Sequence, residues 1–144
     1  MAKIAFPIFF FCYLQKHTQT TDSYLICRSV KVLSKVISKK EYSPMVRSLA
    51  VYSLKKAAML EPIHVRPILL TIIDNIAEAS EVRIAAVAGL PWSQPTTAEL
   101  QKIATRTWFE PSKQVASFIF STFKSLVRNI SYFYIQYVAD RNIT

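Results

Sequence analysis

The residues that could bind a metal or attack a substrate are few and scattered. Cys12 and Cys27 form no CxxC pair, and two thiols are too sparse to staple a small secreted fold, so their redox state stays open. His17 and His64 lie far from each other and from a second ligand at helical or loop spacing, which argues against a metal site and for ordinary surface or packing roles. Serines, histidines and carboxylates are present, yet no G-x-S-x-G, H-E-x-x-H or paired-carboxylate pattern gathers them. A single glycine, Gly89, leaves no material for phosphate-cradling loops or dinucleotide fingerprints. An enzyme is therefore the least supported class, and no cofactor is expected. Two sequons, Asn129-Ile130-Ser131 and Asn142-Ile143-Thr144, offer Asn129 and Asn142 as glycosylation acceptors if the chain enters the secretory pathway.

The more informative polar groups are two arginines inside a repeated pattern, V-R-x-x-A-V-x-x-L. It reads Val46-Arg47-Ser48-Leu49-Ala50-Val51-Tyr52-Ser53-Leu54 and again Val82-Arg83-Ile84-Ala85-Ala86-Val87-Ala88-Gly89-Leu90, thirty-six residues later. That period is typical of helix pairs stacked in an array, each burying its apolar face only against its neighbours. In such a stack an arginine stem covers apolar surface while its guanidinium meets a carboxylate on an adjacent turn or repeat. Arg47 and Arg83 are expected to act in this way, with Glu78, Glu81 or Asp74 as partners. Ala50, Ala85 and Ala86 permit close helix contact. These roles are structural.

The elements that must position these arginines follow from periodicity and punctuation. The chain has 144 residues, 51% of them hydrophobic and 19% charged, enough to fold or associate and unlike a disordered tail. The first helix is expected over Ser23 to Lys40, with the apolar stripe Ile26, Val30, Leu33 and Ile37. In the second, Ser43 caps, Pro44 fits the first helical position, and Val46, Leu49, Ala50, Leu54 and Ala57 face inward to an end near Leu60. The third begins around Ile63 and buries Val65, Leu69, Ile72 and Ile76, with Pro67 expected to delay its start. Ser80 is expected to cap a fourth helix to Gly89, which Pro91 and Pro95 stop. Thr96 and Glu99 have capping-box spacing for a fifth, to about Phe109. Pro111 or Ser112 starts a sixth, with the stripe Val115, Phe118, Ile119, Thr122 and Leu126. The Tyr-rich stretch Ser131 to Val138 reads as a strand by propensity but is left unassigned with a lean to helix.

The reading is thus all-α, an α-α superhelix over residues 22–130, flanked by an apolar segment at 1–21 and a tail at 131–144. Ile4 to Leu14 suits the h-region of a signal peptide, but Pro7 interrupts it and no A-x-A-like site follows; the edge of a larger protein is the alternative. The net charge of +9 is concentrated between Lys16 and Lys56. Arg28, Lys31, Lys35 and Lys39 fall on one helix face opposite the apolar stripe, so a solvated face is favoured over a nucleic-acid or membrane-surface module. Neither end is polar enough to cap a stack, which predicts self-association through apolar ends.

From Ser43 to Arg128 the chain resembles a known family. Ala50 to Lys56, Glu81 to Ala86 and the run Trp108-Phe109-Glu110-Pro111-Ser112-Lys113-Gln114-Val115-Ala116-Ser117-Phe118 look like the helical domain of large lipid transfer proteins, the superfamily of vitellogenin, apolipophorin and apolipoprotein B. The Trp108 to Val115 run is the most specific part and looks closest to the apolipophorin branch. The resemblance implies a secreted lipoprotein scaffold, in which a two-layered helical horseshoe wraps β-sheets that line a lipid cavity and lipid is carried unchanged. Its partners would be lipid, held by the complete parent domain, and the β-sheet regions of the same module, with no nucleic acid. No β-sheet lipid pocket and no full N-terminal barrel are expected from this sequence, which departs from the family by omission. A HEAT-like repeat scaffold binding another protein is the alternative, because V-R-x-x-A-V-x-x-L also suits such repeats.

Overall fold

In the computed structural model, residues 23–141 are described, and their side chains over 23–128. Seven α-helices follow one another: α1 (Ser23–Ser38), α2 (Pro44–Ser53), α3 (Lys55–Leu60), α4 (Pro62–Asp74), α5 (Ser80–Gly89), α6 (Thr97–Arg106) and α7 (Lys113–Arg141). Short 3-10 turns at Leu90–Ser93 and Thr107–Phe109 lead out of α5 and α6. No strand occurs among the described residues. The all-α expectation therefore agrees with the structure, and the helices form successive hairpins: α1 packs on α2 and α4 on α5, α3 lies against α4, and α6 and α7 join through the Thr107–Phe109 turn, which touches both.

The second helices form one layer, α2 against α5 and α5 against α7. The repeated pattern explains the close fit. Ala50, Ala85 and Ala86 are fully buried, so backbones approach closely, while Val51, Val82, Val87 and Val115 fill the spaces between them. The first helices α1, α4 and α6 form the other layer. They send Leu33, Ile37, Val65, Leu69, Ile73 and Ile103 down into the same core.

Side-chain caps fix some of the boundaries. Ser43 accepts from the Val46 N–H, and Pro44 opens α2, where a missing N–H costs nothing. Thr96 and Glu99 close the expected capping box around the start of α6. Other boundaries differ from expectation. The second helix breaks at Leu54, whose N–H bonds the Val51 carbonyl at 3.0 Å in a tighter i→i−3 turn that rotates Ala57 and Ala58 inward. Helix α4 begins at Pro62 and carries Pro67 in its interior. Proline there leaves the Ile63 carbonyl without its usual donor, and the cost is limited because Ile63 and Pro67 both lie at the surface. Ser80 is not a side-chain cap: Ala79 takes that position, and the Ser80 hydroxyl pairs with that of Ser112 at 3.1 Å. Leu49 and Ile76, both expected inside, are exposed. The stretch 131–138 continues α7 as helix.

Residues 1–22, and with them the apolar run, Cys12 and His17, lie outside the described residues, as does Asn142. No helix among the described residues is long and apolar enough to cross a membrane.

Candidate functional site: two arginine rungs between helical hairpins

Each arginine of the repeat leaves the first turn of a second-layer helix and runs back toward the end of the helix before it. Arg47 Nε donates to the Ile37 carbonyl at 2.7 Å, and Arg83 donates to the Ile73 carbonyl through Nη2 at 2.9 Å, ten residues upstream in both cases. Those carbonyls belong to the last turns of α1 and α4, where the helix leaves acceptors unpaired and its dipole is negative. A guanidinium satisfies both needs.

The remaining donors reach into the next hairpin. Arg47 Nη1 donates to Glu78 Oε1 at 2.8 Å, and its other terminal nitrogen meets the second oxygen. Arg83 binds Glu110 in the same two-pronged manner, at 2.6 and 2.7 Å. Each glutamate also accepts a backbone N–H at the entry to the following second-layer helix, Ala79 for Glu78 and Ser112 for Glu110. One rung thus ties together the C-terminus of a first helix, the second helix of that hairpin, and the turn of the next hairpin.

Both rungs are buried. The side chains of Arg83 and Glu110 are 3% and 6% exposed, and those of Arg47 and Glu78 are 6% and 7%. Burial alone would raise a carboxyl pKa, yet the arginine hydrogen bonds dominate and hold Glu78 and Glu110 below the usual glutamate value. The Glu99 carboxyl is also lowered, first by the Thr96 N–H that it accepts in the capping box. These are permanently ionised latches at neutral pH.

Of the residues expected to pair, Arg47 meets Glu78. Glu81 does not join: it is exposed in the first turn of α5 and holds no ion pair among the described residues. It points away because α5 turns its arginine and its valines inward, leaving position 81 on the opposite face. Asp74 serves a different purpose, binding Lys102 at 2.9 Å and also Arg106 across the α4–α6 seam. Arg66 adds a bond to Glu99 in that seam at 3.4 Å. Glu110, the partner of Arg83, was missed by the sequence reading. Its signal is the spacing Glu78-Ala79-Ser80 and Glu110-Pro111-Ser112, a glutamate two residues before a serine at each hairpin turn.

Cys27 is half-buried and forms no disulfide among the described residues, and His64 lies exposed in the first turn of α4. Asn129 falls on the backbone of α7. Among the described residues no group of three or more His, Cys, Asp or Glu side chains gathers as a metal site would require. The arrangement ties each hairpin to the turn of the next.

Comparison with known proteins gives this geometry a family. A family model described as the Vitellogenin TPR domain matches residues 26–124, which contain both rungs. Vitellogenin of Ichthyomyzon unicuspis is 38% identical over 89 residues, 62% of this chain and 5% of that protein. Vitellogenin of Bombyx mori is 37% identical over 87 residues, 60% of this chain and 5% of its own length. The hemolymph clottable protein of Penaeus monodon is 35% identical over 79 residues, 55% of this chain and 5% of that protein. No solved structure matches significantly. The chain spans only about a twentieth of the length of these relatives. With the matched segment covering both arginine-bearing hairpins and most of the helical stack, the chain belongs to the Vitellogenin TPR domain family, and through it to the large lipid transfer protein superfamily.

Proposed function

We propose that this chain is a wall segment of a secreted lipid carrier: a rigid stack of helical hairpins that wraps a lipid-holding cavity formed by other parts of the same module and carries lipid without chemical change. The observation that supports it most is the pair of buried rungs inside a segment matching the Vitellogenin TPR domain. A wall of this kind needs hairpins held at fixed angles, and two-pronged arginine–carboxylate bonds supply directional fixing that apolar packing alone lacks. The finer placement near the apolipophorin branch rests on the Trp108 to Val115 run.

The test is assembly with the β-sheet regions of a lipid transfer module. Expressed together with the remainder of a lipid transfer module, the segment is expected to co-purify with phospholipid; a correctly assembled, lipid-free complex would count against the reading. In a secreted product Asn129 is expected to carry glycan, which peptide mass mapping would reveal.

The alternative, a helical scaffold for another protein, draws on exposed apolar side chains at both ends of the stack. Met45, Leu49 and Tyr52 line one face of α2, while Trp108 and Phe109 stand more than four-fifths exposed beyond α6. A soluble partner recovered at fixed stoichiometry without lipid would favour it. The expectation of self-association rests separately on the Phe-rich start and Tyr-rich finish of the sequence; sedimentation as a clean monomer at high concentration would contradict that.

A further inference from the structure

The seam between α1 and α4 is incompletely filled. A cavity of about 440 Å³ lies near the end of α1, and one of about 490 Å³ lies further up the same helix. Ser34 and Ile68 border both, so the two form one trough. Its origin is the size of the side chains along the seam. Ser34, Ser38 and Thr71 stand where larger residues would close it. Their hydroxyls bond backward within their own helices, Ser34 to the Val30 carbonyl at 2.8 Å, Ser38 to Lys35 at 3.1 Å and Thr71 to Pro67 at 2.8 Å. None needs a partner in the trough, and the walls present mostly carbon.

Val30, Ile37, Ile68 and Ile72 supply the apolar lining, and Lys31, Lys35 and Lys40 stand along the edge. These three lysines form no ion pair among the described residues. The carboxylate that borders the trough, Glu78, has both oxygens engaged by Arg47. Lys40 is within electrostatic reach of Glu78, so the site is a recessed apolar channel whose rim charge without an ion-pair partner among the described residues is carried by Lys31 and Lys35. Its size falls within the range of small-molecule sites. An α-helix about 10 Å across rises 5.4 Å per turn and so fills on the order of 400 Å³ per turn. The trough would seat little more than one or two turns of a helix, whereas a thin extended chain could lie along it.

We propose that this trough binds one long-chain carboxylic acid, its acyl chain along Val30, Ile68 and Ile72 and its carboxylate beside Lys31 and Lys35. The site lies within the helical wall itself and so goes beyond the cavity described under the proposed function.

The test uses the full 144-residue chain and oleate as the probe, with methyl oleate as an uncharged control. Expected are saturable one-to-one binding of oleate, weaker binding of methyl oleate, and loss of binding in Ser34→Phe, which occupies the channel. A Lys31→Gln/Lys35→Gln variant should weaken oleate by about two- to fivefold for each lysine, less so at high salt, while Lys113→Gln/Lys124→Gln leaves it unchanged. Circular dichroism checks folding, and Thr71→Leu replaces Ser34→Phe as the blocking variant if the latter loses helix. The proposal is overturned if the wild-type chain does not bind oleate, if binding survives the folded blocking variant, or if methyl oleate binds equally well and the lysine variant has no effect. An assembled module that carries phospholipid while this chain ignores oleate would sink the trough alone and leave the carrier reading standing.

Discussion

The two junctions between successive hairpins use the same device in one layer and opposite solutions in the other. In the second-helix layer, Arg47–Glu78 and Arg83–Glu110 are near copies, each anchored to a carbonyl ten residues upstream. In the first-helix layer, the α4–α6 seam is spanned by Asp74 with Lys102 and Arg106 and by Arg66 with Glu99, and the crevice beside Asp74 and Arg106 is only about 10 Å³. The α1–α4 seam has serines and a threonine instead, with Ser23 reaching Glu61 at its far end, and it leaves the trough. The stack is therefore fixed along one layer, while the other layer is free to vary from junction to junction. Variation there costs little stability because partners of an exposed ion pair are resolvated when the pair is lost, whereas loss of one partner of a buried rung strands a charge out of water.

The largest test of that comparison removes a rung. Arg83→Met or Arg47→Met should each lower unfolding free energy by about 3–5 kcal/mol, since a carboxylate is left buried without its partner. Urea unfolding measures the loss, and adding Glu110→Gln to Arg83→Met should recover part of it. If Arg47→Met cost no more than an exposed pair, the two junctions would not share a latch.

Acid provides the next test. Glu78 and Glu110 have folded pKa values below their ordinary one, so the stability they contribute is fully present above the unfolded value of about 4.3 and is lost as pH falls through the lower folded values. Unfolding followed from pH 6 downward should show stability declining below about pH 4. The single rung left in Arg47→Met should show a shallower decline.

A smaller effect separates the two seams. Ser34→Leu should stabilise by about 0.5–2 kcal/mol, because it places apolar volume in existing space. Thermal unfolding would read it, and destabilisation would show that the trough cannot accept bulk. Least of all, Asp74→Asn should cost about 0.2–1 kcal/mol and lose its effect in high salt, as befits a partly exposed pair.

Much of this was legible in the chain. The period from Val46 to Val82, the capping residues Ser43, Thr96 and Glu99, and the proline stops all act over a few residues, so their consequences could be read locally. Leu49 was misread because a periodic stripe says which face is apolar but not whether a neighbour arrives to cover it, and Ile76 because α4 ends at Asp74, which leaves it in the turn beyond the stripe. Leu49 faces the outer side of α2, while its counterpart in the repeat, Ala85, is fully buried. The pairing of Arg83 with Glu110 was hidden for a related reason: twenty-seven residues separate them, and Glu81 and Glu78 are both nearer in sequence.

The sequence by itself determined that the chain is helical, where most helices begin and end, and that two arginines occupy equivalent places, because these follow from backbone propensity and from the identity of adjacent residues. Only the tertiary structure decided which carboxylate each arginine meets, and that one seam closes while another stays open. Both outcomes depend on how far apart packed helices come to rest, a distance set by the summed volumes of side chains from several segments at once.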